Sequence, residues 1–303
     1  MKRPLALLAG LLVLAACGGG SGDPLSSGSG DQPSAAGTIR IGSADFPENR
    51  LLAEIYAQTL ENTGLTVERN FGIGSREVYF PGLTDGSIDL VPDYTGVLLQ
   101  YVNPQAPETA PDAVYSALQA QVPDPLTVLE RSAAENKDAV VITAETAQRL
   151  GARSIADLAP ACGELVFGGP SEFQTRPDGL PGIAETYGCT FGEFRALDTG
   201  GPLTVTALED GTIQVANLFT TDPTISDKGF VVLEDPENNF AAQNVVPLIN
   251  ETKATPEVTA ALNAVSAKLT TTGLVDLNRQ LNAPDKPDVA TVAKQWLTTQ
   301  GLA

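Results

Sequence analysis

The chain has 303 residues, of which 42% are hydrophobic, and its formal net charge is −19. This length suits two domains of ordinary size or one large domain. A chain this acidic excludes nucleic acid as a partner, because binding to phosphates needs Lys and Arg to displace counterions. The sequence contains no histidine, which removes the commonest general base, the Ser-His and Cys-His nucleophile pairs and most zinc sites. We therefore predict no enzyme activity, no metal site and no cofactor.

The N-terminal residues have the pattern of a lipoprotein signal. Met1-Lys2-Arg3 precedes a short apolar run that ends in Leu14-Ala15-Ala16-Cys17, which resembles a bacterial lipobox. About ten apolar residues are too few to span a bilayer in the mature protein. We expect a signal peptide over residues 1–17, lipidation of Cys17 and a flexible tether rich in Gly, Ser and Pro over residues 18–37. The alternative is an ordinary signal peptide that contains Cys17 by chance.

Two further cysteines, Cys162 and Cys189, remain after the leader. In an oxidising compartment such a pair predicts one structural disulfide. The alternative is a redox or metal-binding pair. The absence of both histidine and a Cys-x-x-Cys motif disfavours that alternative.

From Thr38 onward, short strands alternate with helices. The first series has strands near residues 39–42, 66–71 and 88–91 and helices near 51–60, 77–84 and 97–101. The second series has strands near 139–142, 164–167, 194–197, 213–216, 231–233 and 245–249 and helices near 183–187 and 203–209. Helical stripes at 258–269 and 289–297 end the chain. Such alternation predicts α/β layers with mostly parallel sheets, and two series predict two lobes around a ligand cleft.

Five segments together resemble one known family. They are Gly42–Glu48, Gly82–Gly96, Arg176–Gly182, Thr220–Asp222 and Val231–Asp235. In combination they resemble the substrate-binding proteins of glycine betaine/choline/osmoprotectant (quaternary amine) ABC importers, over nearly all of the chain after the tether. The resemblance implies an α/β, two-lobed fold like that of type II periplasmic binding proteins, with a double crossover hinge. Lobe 1 is then expected to hold residues 38–139 and 245–303, and lobe 2 residues 140–244.

The resemblance also implies a ligand site. In this family aromatic rings surround a quaternary ammonium and basic groups meet a carboxylate. Tyr94 stands at one ring position, Phe219 is a candidate second ring, and Arg176 stands at the arginine position. The expected ligand-binding residues are Ser43, Asp45, Tyr94, Thr95, Asp138, Arg176, Phe219, Thr221, Asp222 and Gln243. Simpler roles are open for some of them: an ion pair with Asp178 or Glu172 for Arg176, and lobe packing or helix capping for Thr221 and Asp222.

The chain departs from the family pattern at several of these positions. Where many family members have a lysine, this chain has Ala44, and where they have a threonine, it has Val97. Three tyrosine positions of the family hold Asp138, Val205 or Thr204, and Gln243. Because a desolvated cation–π contact contributes about 2 kcal/mol or more, the loss of two or three rings predicts weak or absent betaine binding unless other groups substitute. Asp138 is the candidate substitute. It either pairs with a cation directly or hydrogen-bonds a hydroxylated or amide ligand.

The sequence therefore predicts an extracytoplasmic, lipid-anchored and monomeric solute-binding protein. It is expected to deliver a small molecule to the membrane-embedded permease subunits of an ABC importer. Three alternatives stay open. In the first, the ligand is a different polar, cationic or aromatic solute. In the second, the protein senses a ligand for signalling, and in the third it is an enzyme that uses paired carboxylates. No suitable spacing of acidic residues supports the enzyme.

Overall fold

The computed structural model describes residues 37–303. The predicted signal peptide, Cys17 and residues 18–36 of the predicted tether lie outside the described residues. No helix within residues 37–303 combines the length and the apolar character that a membrane span requires.

The described part of the chain alternates strands and helices, as predicted. The strands are β1 (Thr38–Ala44), β2 (Thr66–Gly74), β3 (Leu90–Tyr94), β4 (Leu126–Val128), β5 (Asp138–Ile142), β6 (Val166–Gly169), β7 (Glu193–Ala196), β8 (Val215–Phe219), β9 (Val231–Val232) and β10 (Val245–Asn250). The α-helices are α1 (Pro47–Asn62), α2 (Arg76–Thr84), α3 (Thr95–Val102), α4 (Pro111–Gln121), α5 (Ala144–Leu150), α6 (Leu180–Tyr187), α7 (Pro202–Glu209), α8 (Pro223–Asp227), α9 (Pro256–Ser266), α10 (Thr271–Leu281) and α11 (Val289–Gln300).

The first sheet has the strand order β2-β1-β3-β10-β4. β1 is parallel to β2 and β3, whereas β10 is antiparallel to β3 and β4. Helix α1 buries Leu51, Leu52 and Ile55 completely in the adjoining core. The three C-terminal helices α9, α10 and α11 contribute to that same core, which also holds Trp296. The C-terminal helices therefore complete the first lobe.

The second sheet has the strand order β7-β6-β8-β5-β9. β6 is parallel to β7 and β8, whereas β5 is antiparallel to β8 and β9. The core on one face contains the stacked rings of Phe167 and Phe173, whose centroids are 5.3 Å apart. Cys162 and Cys189 are buried in the same core and are bonded to each other, so the predicted disulfide is confirmed.

Two crossing segments connect the sheets, one between β4 and β5 and the other between β9 and β10. They lie side by side in antiparallel fashion. The backbone N–H of Asn136 donates to the carbonyl of Gln243 (3.0 Å), and that of Val245 donates to the carbonyl of Ala134 (3.0 Å). The predicted two-lobed α/β fold with a double crossover is thus confirmed.

In each sheet four of the five strands run in the same direction and one strand is antiparallel, so the prediction of mostly parallel sheets is confirmed. The antiparallel members β5 and β10 are the first strands after each crossover, and each enters its sheet from the side of the other lobe. Helices α4, α5, α8 and α10 and strand β4 were not predicted. α4 buries only Val114 and Leu118 among eleven residues, and α10 begins with Thr271-Thr272-Gly273, a poor helix-forming run. A weak apolar stripe therefore explains the omission of α4, and weak local helix propensity explains the omission of α10.

β3 continues through Pro92 to Tyr94, although the sequence predicted a strand that ends at Val91. Pro92 lies opposite Pro247 of β10. The carbonyl of Pro92 accepts a hydrogen bond from Asn49 Nδ2 (2.9 Å), and that of Pro247 accepts one from the Leu129 N–H (3.0 Å). Both prolines therefore turn their missing N–H groups away from the β3–β10 ladder, which leaves that ladder intact.

Candidate ligand-binding cleft

A cavity opens where strands of both sheets end. Its empty volume, including the space open to solvent, is about 570 Å³. The carboxyl ends of parallel strands favour ligand contacts in α/β folds. The lining includes Asp45, Phe46, Arg76, Tyr79, Tyr94 and Val97 from the first lobe, Asn136 and Gln243 from the crossing segments, and Asp138, Glu172, Arg176, Thr199 and Phe219 from the second lobe.

Six of the ten residues predicted to bind ligand line this cavity: Asp45, Tyr94, Asp138, Arg176, Phe219 and Gln243. The other four, Ser43, Thr95, Thr221 and Asp222, are outside its lining. The side chain of Ser43 is buried, accepts the N–H of Gly72 (2.8 Å) and donates to the carbonyl of Ala44 (3.0 Å). Ligand contact stays a prediction for all ten residues.

Thr95 fastens the returning crossing segment. Its hydroxyl donates to the carbonyl of Ala242 (3.1 Å) and accepts the N–H of Asn244 (3.1 Å). A Cβ at Gly96 would lie 2.7 Å from the oxygen of Ala242, so this close approach requires glycine. The Tyr-Thr-Gly motif therefore joins a cavity-lining ring to a backbone clamp.

Thr221 and Asp222 follow β8 and line a neighbouring cavity instead. The Asp222 carboxylate accepts the N–H of Thr224 (2.8 Å) and so caps the short helix α8. The Thr221 hydroxyl donates to Glu48 Oε2 (2.6 Å). Capping and lobe packing, the simpler roles considered for these two residues, are what their contacts provide.

Three aromatic rings form a stack in the cleft. Phe46 lies between Tyr94, at 6.1 Å between centroids, and Phe219, at 5.2 Å. Phe46 and Tyr94 belong to the first lobe, whereas Phe219 ends β8 in the second. Sequence reasoning did not select Phe46 as a ligand residue. Its position two residues after the end of β1 was the available signal, because it lies at the carboxyl end of a parallel strand.

Both arginines of the cleft are engaged by acidic residues. Buried Arg76, which was not predicted as a site residue, contacts Asp93 Oδ1 through Nη2 (2.5 Å). The Tyr79 hydroxyl donates to the other oxygen of Asp93 (2.8 Å). Arg176 donates to both oxygens of Glu77 at 3.0 and 3.1 Å. The alternative that Arg176 forms a structural ion pair is therefore realised, with Glu77 as its partner in place of Asp178 or Glu172.

The pKa of Glu77 reflects this pairing. Partial burial acts to raise the pKa of its carboxyl group. The hydrogen bonds from Arg176 and Ser75, together with the charge of Arg176, outweigh burial and lower the pKa to about 2. Glu77 is thus anionic over the whole physiological range.

Asp138 has a different environment. Its carboxylate accepts hydrogen bonds from Asn217 Nδ2 (2.9 Å) and Gln243 Nε2 (3.3 Å), and it makes no ion pair within residues 37–303. Burial raises the pKa of Asp138, against these hydrogen bonds and the charge of Arg176. For buried Asp178, burial and the nearby charge of Asp138 raise the pKa to about 7. Two carboxyl groups without a cationic partner of their own in the described chain therefore interact, and of these Asp138 lines the cavity whereas Asp178 does not.

Asn136, a residue of the cavity lining, has a buried acceptor without a partner in residues 37–303. The residue is 3% exposed, and its Nδ2 donates to Glu48 Oε1 (2.7 Å). Its Oδ1 has no hydrogen-bond donor in the described part of the chain. Over the same residues, no cluster of three or more His, Cys, Asp or Glu side chains could hold a metal ion.

A cavity lined by both lobes of a double-crossover α/β fold defines a solute-binding protein. Residues 37–299 match the family described as the substrate-binding domain of ABC-type glycine betaine transport systems. The chain belongs to this family. Its members are extracytoplasmic receptors for small solutes, not enzymes, and work with ABC permease subunits.

Individual relatives agree with this assignment. The chain is 31% identical to a glycine-betaine-binding protein of Pseudomonas aeruginosa over an alignment of 228 residues, which covers 71% of this chain and 72% of the relative. It is 26% identical to the glycine betaine-binding protein YehZ of Escherichia coli, over 88% of this chain and 92% of the relative. A crystal structure of a glycine betaine/carnitine/choline ABC transporter protein superposes with a TM-score of 0.69 at 22% identity, covering 87% of this chain and 99% of the other. That structural likeness concerns the fold alone.

Proposed function

We propose that the cleft binds a small organic cation that carries a hydrogen-bond donor and no carboxylate, with choline as the simplest example, for delivery to the permease of an ABC importer. The observation that carries this proposal is the environment of Asp138, a partly buried carboxylate at the cavity wall without an ion-pair partner in residues 37–303. A buried charge is costly unless it is paired. A cationic ligand supplies the missing partner.

The engaged arginines argue against a ligand carboxylate. Arg76 is held by Asp93, and Arg176 is held by Glu77 through two hydrogen bonds. A ligand with a carboxylate, such as glycine betaine, would have to displace one of these protein carboxylates. A simple cation leaves both ion pairs in place.

The free acceptors argue for a donor on the ligand. Asn136 Oδ1 lacks a donor, and each oxygen of Asp138 receives only one hydrogen bond from the described side chains. An unpaired buried acceptor costs about 1–3 kcal/mol. Choline has a hydroxyl group that can satisfy such an acceptor, whereas glycine betaine has no hydrogen-bond donor.

The aromatic stack supports a methylated ammonium group. Phe219 is the cross-strand partner of Asp138, with β5 and β8 antiparallel, so a ring and a carboxylate are adjacent in the same wall. A quaternary ammonium has no N–H and is attracted by ring faces and by unpaired negative charge. Tyr94, Phe46 and Asp138 thus offer both kinds of contact in one cavity.

Isothermal titration calorimetry on the full chain tests the ligand class with three probes: choline, glycine betaine and 3,3-dimethylbutan-1-ol. The last is the uncharged isostere of choline. We expect choline to bind at least tenfold more tightly than either of the other two. Tighter binding of glycine betaine, or equal binding of choline and its isostere, contradicts the proposal.

The Asp138→Asn variant tests the carboxylate that carries the proposal. It keeps the shape of the side chain and removes its charge, so we expect a loss of choline affinity of about tenfold to a hundredfold. Binding of 3,3-dimethylbutan-1-ol should change little. Asp285→Asn is the matched control, because Asp285 is exposed and outside the cavity lining. Unchanged choline affinity in Asp138→Asn refutes the role of Asp138.

We also propose that the mature protein is held at the extracytoplasmic face of the membrane by a lipid on Cys17, with residues 18–37 as a tether. The lipobox-like sequence before Cys17 supports this proposal. In cells supplied with a labelled fatty acid, the wild-type protein should acquire the label and sediment with membranes. The Cys17→Ala variant should do neither. A labelled Cys17→Ala protein would contradict lipidation at this residue.

A further inference from the structure

Glu48 is a buried carboxylate surrounded by four hydrogen-bond donors. Oε1 accepts from the hydroxyl of Tyr94 (2.7 Å) and from Nδ2 of Asn136 (2.7 Å). Oε2 accepts from the hydroxyl of Thr221 (2.6 Å) and from Nδ2 of Asn278 (2.6 Å). Glu48 itself is 4% exposed, so water cannot easily replace a lost donor.

These donors are all neutral, and Glu48 makes no ion pair with a residue in the range 37–303. The stability of the buried carboxylate therefore depends on its hydrogen bonds. Loss of a single donor leaves a charged acceptor partly unsatisfied, which costs more than loss of an ordinary neutral hydrogen bond.

The four donors come from different parts of the fold. Tyr94 ends β3, and Asn278 lies in α10, whose neighbours Leu274 and Leu277 are in the first-lobe core. Asn136 lies in a crossing segment. Thr221 alone belongs to the second lobe, where it follows β8. Only an arrangement with the two lobes in contact satisfies Glu48 completely.

Asn278 reinforces the same contact. Its Nδ2 group donates to Glu48 Oε2 in the first lobe and also to the backbone carbonyl of Thr221 in the second lobe (3.1 Å). The ring of Tyr94, which donates to the other oxygen of Glu48, lines the ligand cavity. A cavity-lining side chain and the second lobe are therefore joined through one carboxylate.

We propose that the hydrogen bond from Thr221 to Glu48 is a closure latch, which stabilises the closed arrangement of the lobes and slows ligand release. Thr221 is then a positioning residue. It is outside the lining of the cavity that contains Asp138 and acts through Glu48 and Tyr94. The latch concerns lobe closure and holds for any solute, but the choline arm of its test rests on the proposed function.

Thr221→Val and Thr221→Ser test the latch in the full chain. Valine keeps the shape and removes the donor, whereas serine keeps the donor. Hydrogen exchange of the ligand-free protein, followed by mass spectrometry, reports closure in peptides that cover residues 44–56 and 90–96 and do not contain position 221. Release of tritiated choline, followed by rapid filtration, reports the dissociation rate.

We expect Thr221→Val to speed exchange in both peptide groups and to raise the choline dissociation rate by about tenfold to a hundredfold. The association rate should change less than threefold, and Thr221→Ser should behave like the wild type. Wild-type exchange and release rates in Thr221→Val, or equal defects in both variants, overturn the latch. If wild-type protein does not bind choline, the cation proposal falls, and hydrogen exchange alone decides on the latch.

Discussion

Arg176 and Glu77 form an ion pair across the two lobes, with both carboxylate oxygens within 3.1 Å of the guanidinium group. Glu77 is in α2 of the first lobe, and Arg176 follows β6 in the second. The family resemblance assigns Arg176 to a ligand carboxylate, yet the protein supplies a carboxylate of its own at this position. The pair therefore bears on closure of the lobes and on ligand choice at the same time.

Glu77→Gln should shift the ligand preference toward zwitterions. The substitution removes the negative charge that occupies Arg176, so the guanidinium group becomes available to a ligand carboxylate. We expect the affinity for glycine betaine to rise by about tenfold, which is about 1.4 kcal/mol, while choline affinity does not increase. Calorimetry measures both. Glu193→Gln, which removes the exposed pair with Arg195, is the control, and an unchanged or weaker betaine affinity in Glu77→Gln would refute the argument.

Phe46→Leu should weaken the binding of cations selectively. Leucine retains apolar bulk but has no ring to attract an ammonium group, and cation–π contacts contribute about 0.5–2 kcal/mol each. We therefore expect choline affinity to fall by about twofold to thirtyfold. The uncharged isostere 3,3-dimethylbutan-1-ol should lose less than twofold. An equal loss for both ligands would mean that Phe46 contributes shape alone.

The periodicity of the sequence was sufficient for most strands and for the two-lobed fold, because apolar patterning records which faces are buried. It also placed Tyr94 near a strand end, where the cleft forms, whereas Phe219 was selected from the family resemblance. Apolar patterning does not record strand direction, and so the antiparallel entry of β5 and β10 was missed.

The polar contacts of the site were harder to predict. Arg176 and Glu77 are 99 residues apart in the chain, and Glu48 meets Thr221 over a separation of 173 residues. Nothing local distinguishes Glu77 from Glu172 as the partner of Arg176, since the choice depends on how closely the lobes approach. The role of Asn136 could not be predicted for the same reason. Its Nδ2 pairs with Glu48, which is distant in the chain, and its Oδ1 has no donor in the described residues.

We expect Asp178 to make choline binding depend on pH. Burial and the charge of Asp138 raise its pKa to about 7, while Arg176 and Arg76 act in the opposite direction. Ionisation of Asp178 adds negative charge beside the cation, so choline affinity should rise between pH 5.5 and pH 8, by about tenfold if choline lowers the pKa by about one unit. Calorimetry across this range measures the effect, and a flat profile contradicts it.

Protein stability should move the other way with pH. A carboxyl group whose pKa is raised on folding binds an extra proton in the folded state between pH 4 and pH 7. The free energy of unfolding therefore falls as the pH rises through this window. Asp178→Asn should flatten both the stability profile and the choline profile. If this variant retains the wild-type pH dependence of choline binding, Asp178 is not the titrating group.

The Cys162–Cys189 disulfide should stabilise the second lobe without shaping the ligand site. It lies in a core with Phe167 and Ile183, and neither cysteine lines the cavity. Because it closes a loop over a separation of 27 residues, replacing both cysteines by serine should lower the free energy of unfolding by about 3–4 kcal/mol. Urea unfolding followed by circular dichroism measures this loss, and choline affinity at low urea should stay within twofold of the wild type. Dithiothreitol should destabilise the wild type and leave the double variant unchanged, whereas equal unfolding midpoints for the two proteins would show that the cross-link contributes no stability.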